Sequence, residues 1–224
     1  MSRRVYRQYC GLAKALDVVG ERWTMLIVRN LLLGPLRYSD LLNGLPGITT
    51  NLLAKRLREM EEAGLIERAR SSSTGDASTY RLTPTGTGLE PAVHALGSWG
   101  WQWMGTPGRG EFRSFDFLLV ALRRRYLGGA GLRAELVADD VPYRITLSPG
   151  KAEISRGEAS DPEVRIRGPG PRIARLFLEP TPRRRTVPDG LAIEGSLDAL
   201  WVLLDAFAKD ERPREATRVL ATAR

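Results

Sequence analysis

Apolar positions in the first hundred residues recur at helical spacing and are broken by turn-forming residues. Residues 12–19 predict a first helix, ending near Gly20. Residues 22–33 predict a second, with Trp23, Leu26, Ile27 and Leu31 on one face. Gly34-Pro35 stops it, and residues 38–42 form a short third helix closed by Asn43-Gly44 and the Pro46-Gly47 turn. Thr49 or Thr50 caps a fourth helix by placing a side-chain oxygen on a free amide. That helix runs to Ala63, and Gly64 supplies its left-handed stop. Residues 65–69 and 79–82 read as short strands around a polar tip, 71–78. Thr83-Pro84 then restarts a helix that carries Leu89, Val93, Leu96 and Trp103.

The pattern changes in the second half. Tyr143, Ile145 and Leu147 alternate with polar residues, Ser148-Pro149-Gly150-Lys151 turns the chain, and Ala152 and Ile154 alternate after it. Val164 and Ile166 do the same, which predicts a half-buried antiparallel sheet. Residues 172–178 predict a helix with Ile173, Leu176 and Phe177 inward, and Leu191 and Ile193 a last strand. In the final helix, 197–208, only Asp198 and Asp205 are polar. Leu197, Leu200, Trp201 and Leu204 make the stripe a sheet needs, and Val202, Leu203, Ala206 and Phe207 extend beyond it. The excess must face a ligand tunnel, the other half or a second subunit. Between the halves, residues 105–110 hold three glycines and a proline, so the expected domains are 1–105 and 111–224.

Helix, turn, helix and hairpin in this order make a winged helix-turn-helix. The third helix would cross the phosphate backbone and the fourth would enter the major groove. On the fourth, Leu53, Leu57 and Met60 share the core face, while Asn51, Lys55 and Arg58 share the opposite one. Thr49, Thr50 and Asn51 suit base edges, and Lys55 and Arg58 suit phosphates. Arg68 and Arg70 flank the hairpin tip, within reach of the adjacent minor groove. The competing reading makes Lys55, Arg56 and Arg58 a solvated face paired with Glu59, Glu61 and Glu62.

Charge and composition agree with an acidic partner without locating it. Of 224 residues, 34 are Lys or Arg and 26 Asp or Glu, giving a net charge of +8 spread evenly over both halves. One Cys and one His exclude an intrachain disulfide, a CxxC pair, a cysteine zinc site and any chemistry needing two histidines. The longest apolar run, 117–122, is far short of the ~20 residues that span a bilayer, so the expected location is cytoplasmic, with no membrane partner. Gly168-Pro169-Gly170-Pro171 lacks the last glycine of a dinucleotide fingerprint and offers prolines where amides should face phosphate. His94 has no metal-ligating neighbour in sequence. Trp99, Trp101 and Trp103 suit aromatic packing at a helix end, and Arg123–Arg125 and Arg183–Arg185 a solvated surface. No nucleophile–base pair or metal cluster is visible, so the chain is expected to be no enzyme and to need neither cofactor nor metal.

Residues 15–29, 34–42, 45–48, 57–66 and 80–86 resemble HxlR-type regulators of the wider MarR-like group, in that family's order, over roughly residues 9–104. The resemblance implies a homodimer on inverted repeats of double-stranded DNA, with the first and last helices of this half at the interface. It also implies recognition contacts from Thr49, Thr50, Asn51 and Lys55 and from the Arg68–Arg70 wing. Several members sense oxidants through a cysteine near Cys10, and Arg3, Arg4 and Arg7 favour its thiolate, which makes Cys10 a candidate redox thiol. The alternative is a small residue opening a dimerising helix.

Residues 118–207 resemble the sterol carrier protein-like fold through the 143–156 hairpin, the strand 161–167 with its helix, and 189–195 with the apolar helix after it. That implies an α/β layer with an apolar tunnel, and Trp201, Leu204 and Phe207 become candidate ligand contacts. The whole chain is thus read as α+β: a winged helix-turn-helix followed by a sterol carrier protein-like α/β layer. The leading function is a sequence-specific transcriptional regulator answering to an apolar small-molecule effector. The alternative is a lipid-binding or lipid-carrying module that uses its winged helix only to dimerise.

Overall fold

A computed structural model describes residues 5–70, 78–105, 111–129, 131–179, 187 and 189–208. The chain divides into two compact units, Met1–Val93 and His94–Arg224. The expected hairpin tip, 71–77, the glycine-rich residues 106–110 and the arginines at 183–185 lie outside the described residues.

In the first unit α1 (Gly11–Val19) and α2 (Thr24–Leu31) precede a two-residue strand, β1 (Leu36–Arg37). Then come α3 (Tyr38–Asn43), α4 (Thr50–Glu62), and the hairpin of β2 (Ile66–Arg70) and β3 (Ser78–Leu82). A one-turn helix, α5 (Pro84–Thr87), leads to α6 (Glu90–Trp101), which begins in the first unit and continues beyond Val93 into the second. Ile27, Val28, Leu31, Leu41, Leu45, Leu53, Leu57, Met60 and Leu65 form one buried core. Burying a side chain of this size is worth about 1.5–3 kcal/mol.

Leu26 is not part of that core: it is 39% exposed. Trp23 sits at φ 83° before the first turn of α2, so Ile27, Val28 and Leu31 set the inward face. Residue 26 then falls about 100° from Ile27 and farther from Val28. The predicted last helix is also interrupted. α5 ends at Thr87 with Gly88 as its C-cap, α6 starts at Glu90, and because α6 ends at Trp101 it leaves Trp103 beyond the helix. The closure at α5 needs Gly86, because a Cβ there would lie 2.0 Å from the Leu65 carbonyl oxygen. Thr83 caps this turn by accepting from the Gly86 amide at 3.1 Å and donates to the Gly64 carbonyl at 2.6 Å. Gly64 itself, at φ +67°, ends α4 as expected.

The second unit holds α7 (Phe115–Arg125), β4 (Leu132–Ala138), β5 (Val141–Ser148), β6 (Lys151–Arg156) and β7 (Val164–Gly168). These are followed by α8 (Gly170–Leu178), β8 (Ala192–Gly195) and α9 (Leu197–Asp205). The strands order as β6-β5-β4-β7-β8. The sheet is mixed, not antiparallel throughout, because β4 and β7 run parallel, Leu136 opposite Ile166. After the β5–β6 hairpin the chain crosses back over the sheet to the other edge of β4. The buried Glu135 carboxylate holds that crossing by accepting from the Ala159 amide at 2.6 Å and pairing with Arg165. Arg123 and Arg124 are not free surface: Arg123 donates to the Ile154 carbonyl and Arg124 to that of His94 at 3.3 Å. No helix among the described residues is long and apolar enough to cross a membrane.

Candidate DNA-binding face

The helix-turn-helix is built by α3 and α4. Arg37 donates its amide to the Asp40 carboxylate at 3.0 Å, closing the start of α3. Thr49 is the N-cap of α4 and accepts from the Leu52 amide at 3.3 Å. One lone pair of its oxygen is therefore committed to the cap, which leaves its O–H and a second lone pair for a partner. Thr50, Asn51, Lys55 and Arg58 are exposed, while Leu53, Leu57 and Met60 are buried. The structure thus places four of the sequence-identified residues along the open side of one helix.

The charged side chains of this face are not equivalent. Lys55 Nζ lies 3.9 Å from Glu59, an exposed pair worth little. Arg68 is held more firmly. Its guanidinium forks onto Glu61 at 2.9 and 3.4 Å and lies 5.4 Å from the Tyr80 ring centroid. Burial of the Tyr80 ring is the main cause that raises its phenol pKa; the Arg68 charge opposes it. Arg70 ends β2 opposite Ser78; its side chain lies outside the description.

Two contributions escaped the sequence reading. Tyr38 Oη donates to the Thr50 carbonyl at 2.7 Å. Arg56, to which the DNA-binding reading gave no role and which the competing reading placed on a solvated face, is buried and bonded to Glu59 and Glu21. The available signal was its place three residues from Leu53 and four from Met60, which puts it beside the core stripe.

Cys10 is exposed and precedes α1. The backbone N–H groups of Ala13, first, and Leu12 lower its pKa from the ordinary 9.0. In the second unit, Trp201 and Leu204 on α9 and Phe207 just after it are buried. The Phe207 ring centroid lies 5.7 Å from those of both Phe177 and Tyr126. Of the expected sheet-facing stripe, Leu197, at the first position of α9, is exposed; of the expected excess apolar surface, Val202 stays exposed, while Leu203, Ala206 and Phe207 are buried.

Together these features define a winged helix-turn-helix of the kind that carries DNA-binding regulators. The HxlR-like helix-turn-helix family matches residues 18–107. An HTH-type transcriptional regulator of Mycobacterium tuberculosis is 40% identical over 97 residues, covering 43% of this chain and 61% of that protein. The HTH-type transcriptional regulator YvaP of Bacillus subtilis is 34% identical over 91 residues, 41% of this chain and 84% of its own length. The chain belongs to the HxlR-like helix-turn-helix family. The reduced form of the regulator YodB from B. subtilis is 29% identical over 45% of this chain and 100% of its own, with a TM-score of 0.38. The chain spans about 61% of the length of the mycobacterial relatives it matches.

Proposed function

We propose that the protein is a homodimeric, sequence-specific DNA-binding transcriptional regulator. One observation carries this reading: α4 buries Leu53, Leu57 and Met60 and leaves Thr50, Asn51, Lys55 and Arg58 open along its other side, with a wing following. Asn51 and the Thr49 and Thr50 hydroxyls would read base edges. Lys55, Arg58, Arg68 and Arg70 would neutralise phosphates. Residues 1–105 form the DNA-binding and dimerising domain in this reading. Leu12 and Leu16 on α1 and Leu96 on α6 are exposed apolar side chains that suit a two-fold interface.

Residues 111–224 form a sterol carrier protein-like layer that takes an apolar effector beside α9. What supports this is the five-stranded sheet covered by helices, with Trp201 and Leu204 on the helix next to β4 and β7 and Phe207 just after it. Cys10, exposed and with a lowered pKa, is the candidate redox input. Selection of binding sites from a random duplex library tests the main reading. Enrichment of a two-fold symmetric site with half-sites about one helical turn apart is expected. No enrichment, with binding of an apolar ligand retained, would return the protein to a lipid-binding role.

A further inference from the structure

Of the three basic side chains on α4, Arg56 alone is withdrawn from solvent, at 6% exposure. Its Nη1 donates to Glu59 at 2.6 Å, one turn along the same helix, and its Nη2 donates to Glu21 at 3.1 Å. Glu21 belongs to the connection between α1 and α2. That connection has a defined shape: the Gly20 amide donates to the Leu16 carbonyl at 2.9 Å, the Thr24 amide to the Glu21 carbonyl at 3.2 Å, and Trp23 is left-handed. Arg56 therefore joins α4 to a fixed point outside the helix-turn-helix.

Elsewhere α4 is held by the apolar side chains of Leu53, Leu57 and Met60 along its middle, by the Tyr38–Thr50 bond at its first residue and by the exposed Arg68 fork on Glu61 near its end; Arg56 is the directional contact made from the buried side of its middle turn. Apolar burial is non-directional and by itself sets axial rotation less tightly than a directional bond does. A forked, charge-assisted guanidinium contact is directional. Base-reading side chains must be held to about 10–20° to be productive. The same network touches the open face, because the other oxygen of Glu59 lies 3.9 Å from Lys55.

We propose that Glu21 and Arg56 are a positioning pair: their bond sets the rotation of α4 and so determines which base edges Asn51 and Thr50 reach. This rests on the DNA-binding reading of α4. The bland alternative is that the pair only balances charge, and the two differ in sign. Removing the Glu21 carboxylate makes the chain more basic, so a purely electrostatic role tightens binding to every duplex. A positioning role weakens binding to the selected site alone.

The experiment uses the full chain and the duplex enriched by the wild type, with a scrambled duplex at the same salt. Glu21→Gln is apt because the Glu21 side chain is 64% exposed, so melting should shift by no more than a few degrees. The ratio of selected to scrambled affinity is expected to fall about ten-fold, with scrambled affinity unchanged or tighter. Arg56→Lys keeps the charge and loses the fork, and the same fall is expected. An unchanged ratio in both variants, or equal tightening on both duplexes, overturns the proposal. So does collapse of melting in both, which would make the pair purely structural. Failure of the DNA-binding reading itself shows earlier, as a wild type with no selected site, and the positioning role falls with it.

Discussion

The Tyr38 hydroxyl donates to the Thr50 carbonyl oxygen at 2.7 Å and so joins the first residue of α3 to the first residue of α4. The bond crosses the turn of the helix-turn-helix, where the Thr49 cap is the other restraint on the start of α4. Tyr38→Phe should remove about 1 kcal/mol or less of stability, since the bond is solvent-exposed. Affinity for a selected duplex should fall more than stability does, because the loss sits at the base-reading end. Urea unfolding and duplex titration of the same variant check this; unchanged affinity would show that the bond does not order α4.

Asn51 and Lys55 share one face but predict different signatures. Asn51→Ala should relax base preference and leave affinity for scrambled duplex intact. Lys55→Ala should weaken binding to every sequence and lower the log–log salt slope by about one per half-site.

Arg68→Ala should cost less affinity than Lys55→Ala. Arg68 must give up its fork on Glu61 to meet a phosphate, whereas Lys55 gives up only a 3.9 Å pair. Salt titrations of the two variants decide the order, and a larger loss for Arg68→Ala would place the wing, not α4, at the centre of phosphate binding.

Cys10 is the chain's one cysteine, so thiol alkylation reports on it alone. With its pKa below the ordinary 9.0, the iodoacetamide rate should rise with pH to a midpoint below that value. Stopped alkylation read by mass gives the profile, and a midpoint at or above 9.0 would remove the amide effect at the start of α1.

Much of the first unit is legible in sequence because its signals are local. Thr49, Gly64 and Thr83-Pro84 act through caps and turns a few residues long, and Leu53, Leu57 and Met60 reveal their helix by period alone. β1 left no trace, since two residues, Leu36 and Arg37, cannot display an alternation. β4 was missed for another reason. Glu135 and Val137, on the face where polar exposed residues would mark a strand, are both buried, so the alternation is lost. The parallel pairing of β4 and β7 was unreadable in principle, because Val164 and Ile166 alternate identically in either direction. At the candidate site, Thr50, Asn51, Lys55 and Arg58 are exposed because helical period alone places them off the Leu53, Leu57 and Met60 face. The burial of Arg56 was not legible in the same way, because one of its two carboxylate partners, Glu21, lies 35 residues away.

Tyr143 gives the second unit a pH dependence of its own. Its hydroxyl donates to Asp116 Oδ1 at 2.6 Å, and Arg156 pairs with the other carboxylate oxygen. Burial of the phenol is the largest cause that raises its pKa above the ordinary 10.0, followed by the bond to Asp116 and that carboxylate's charge; Arg156 opposes them. The folded state then keeps a proton that the unfolded chain releases. The stabilisation is complete below pH 10.0 and is lost as pH rises toward the folded value. Tyr80 shifts in the same direction in the first unit, so the wild-type profile contains both. Tyr143→Phe isolates one: it should cost about 1–3 kcal/mol near neutral pH by leaving the Asp116 carboxylate short of a donor, yet flatten the alkaline fall. Urea unfolding between about pH 7 and 11 measures both effects in one series. If the variant keeps the full wild-type slope above pH 10.0, the alkaline sensitivity belongs to Tyr80 or to the chain's other titrating groups, and the buried phenol of Tyr143 does not carry it.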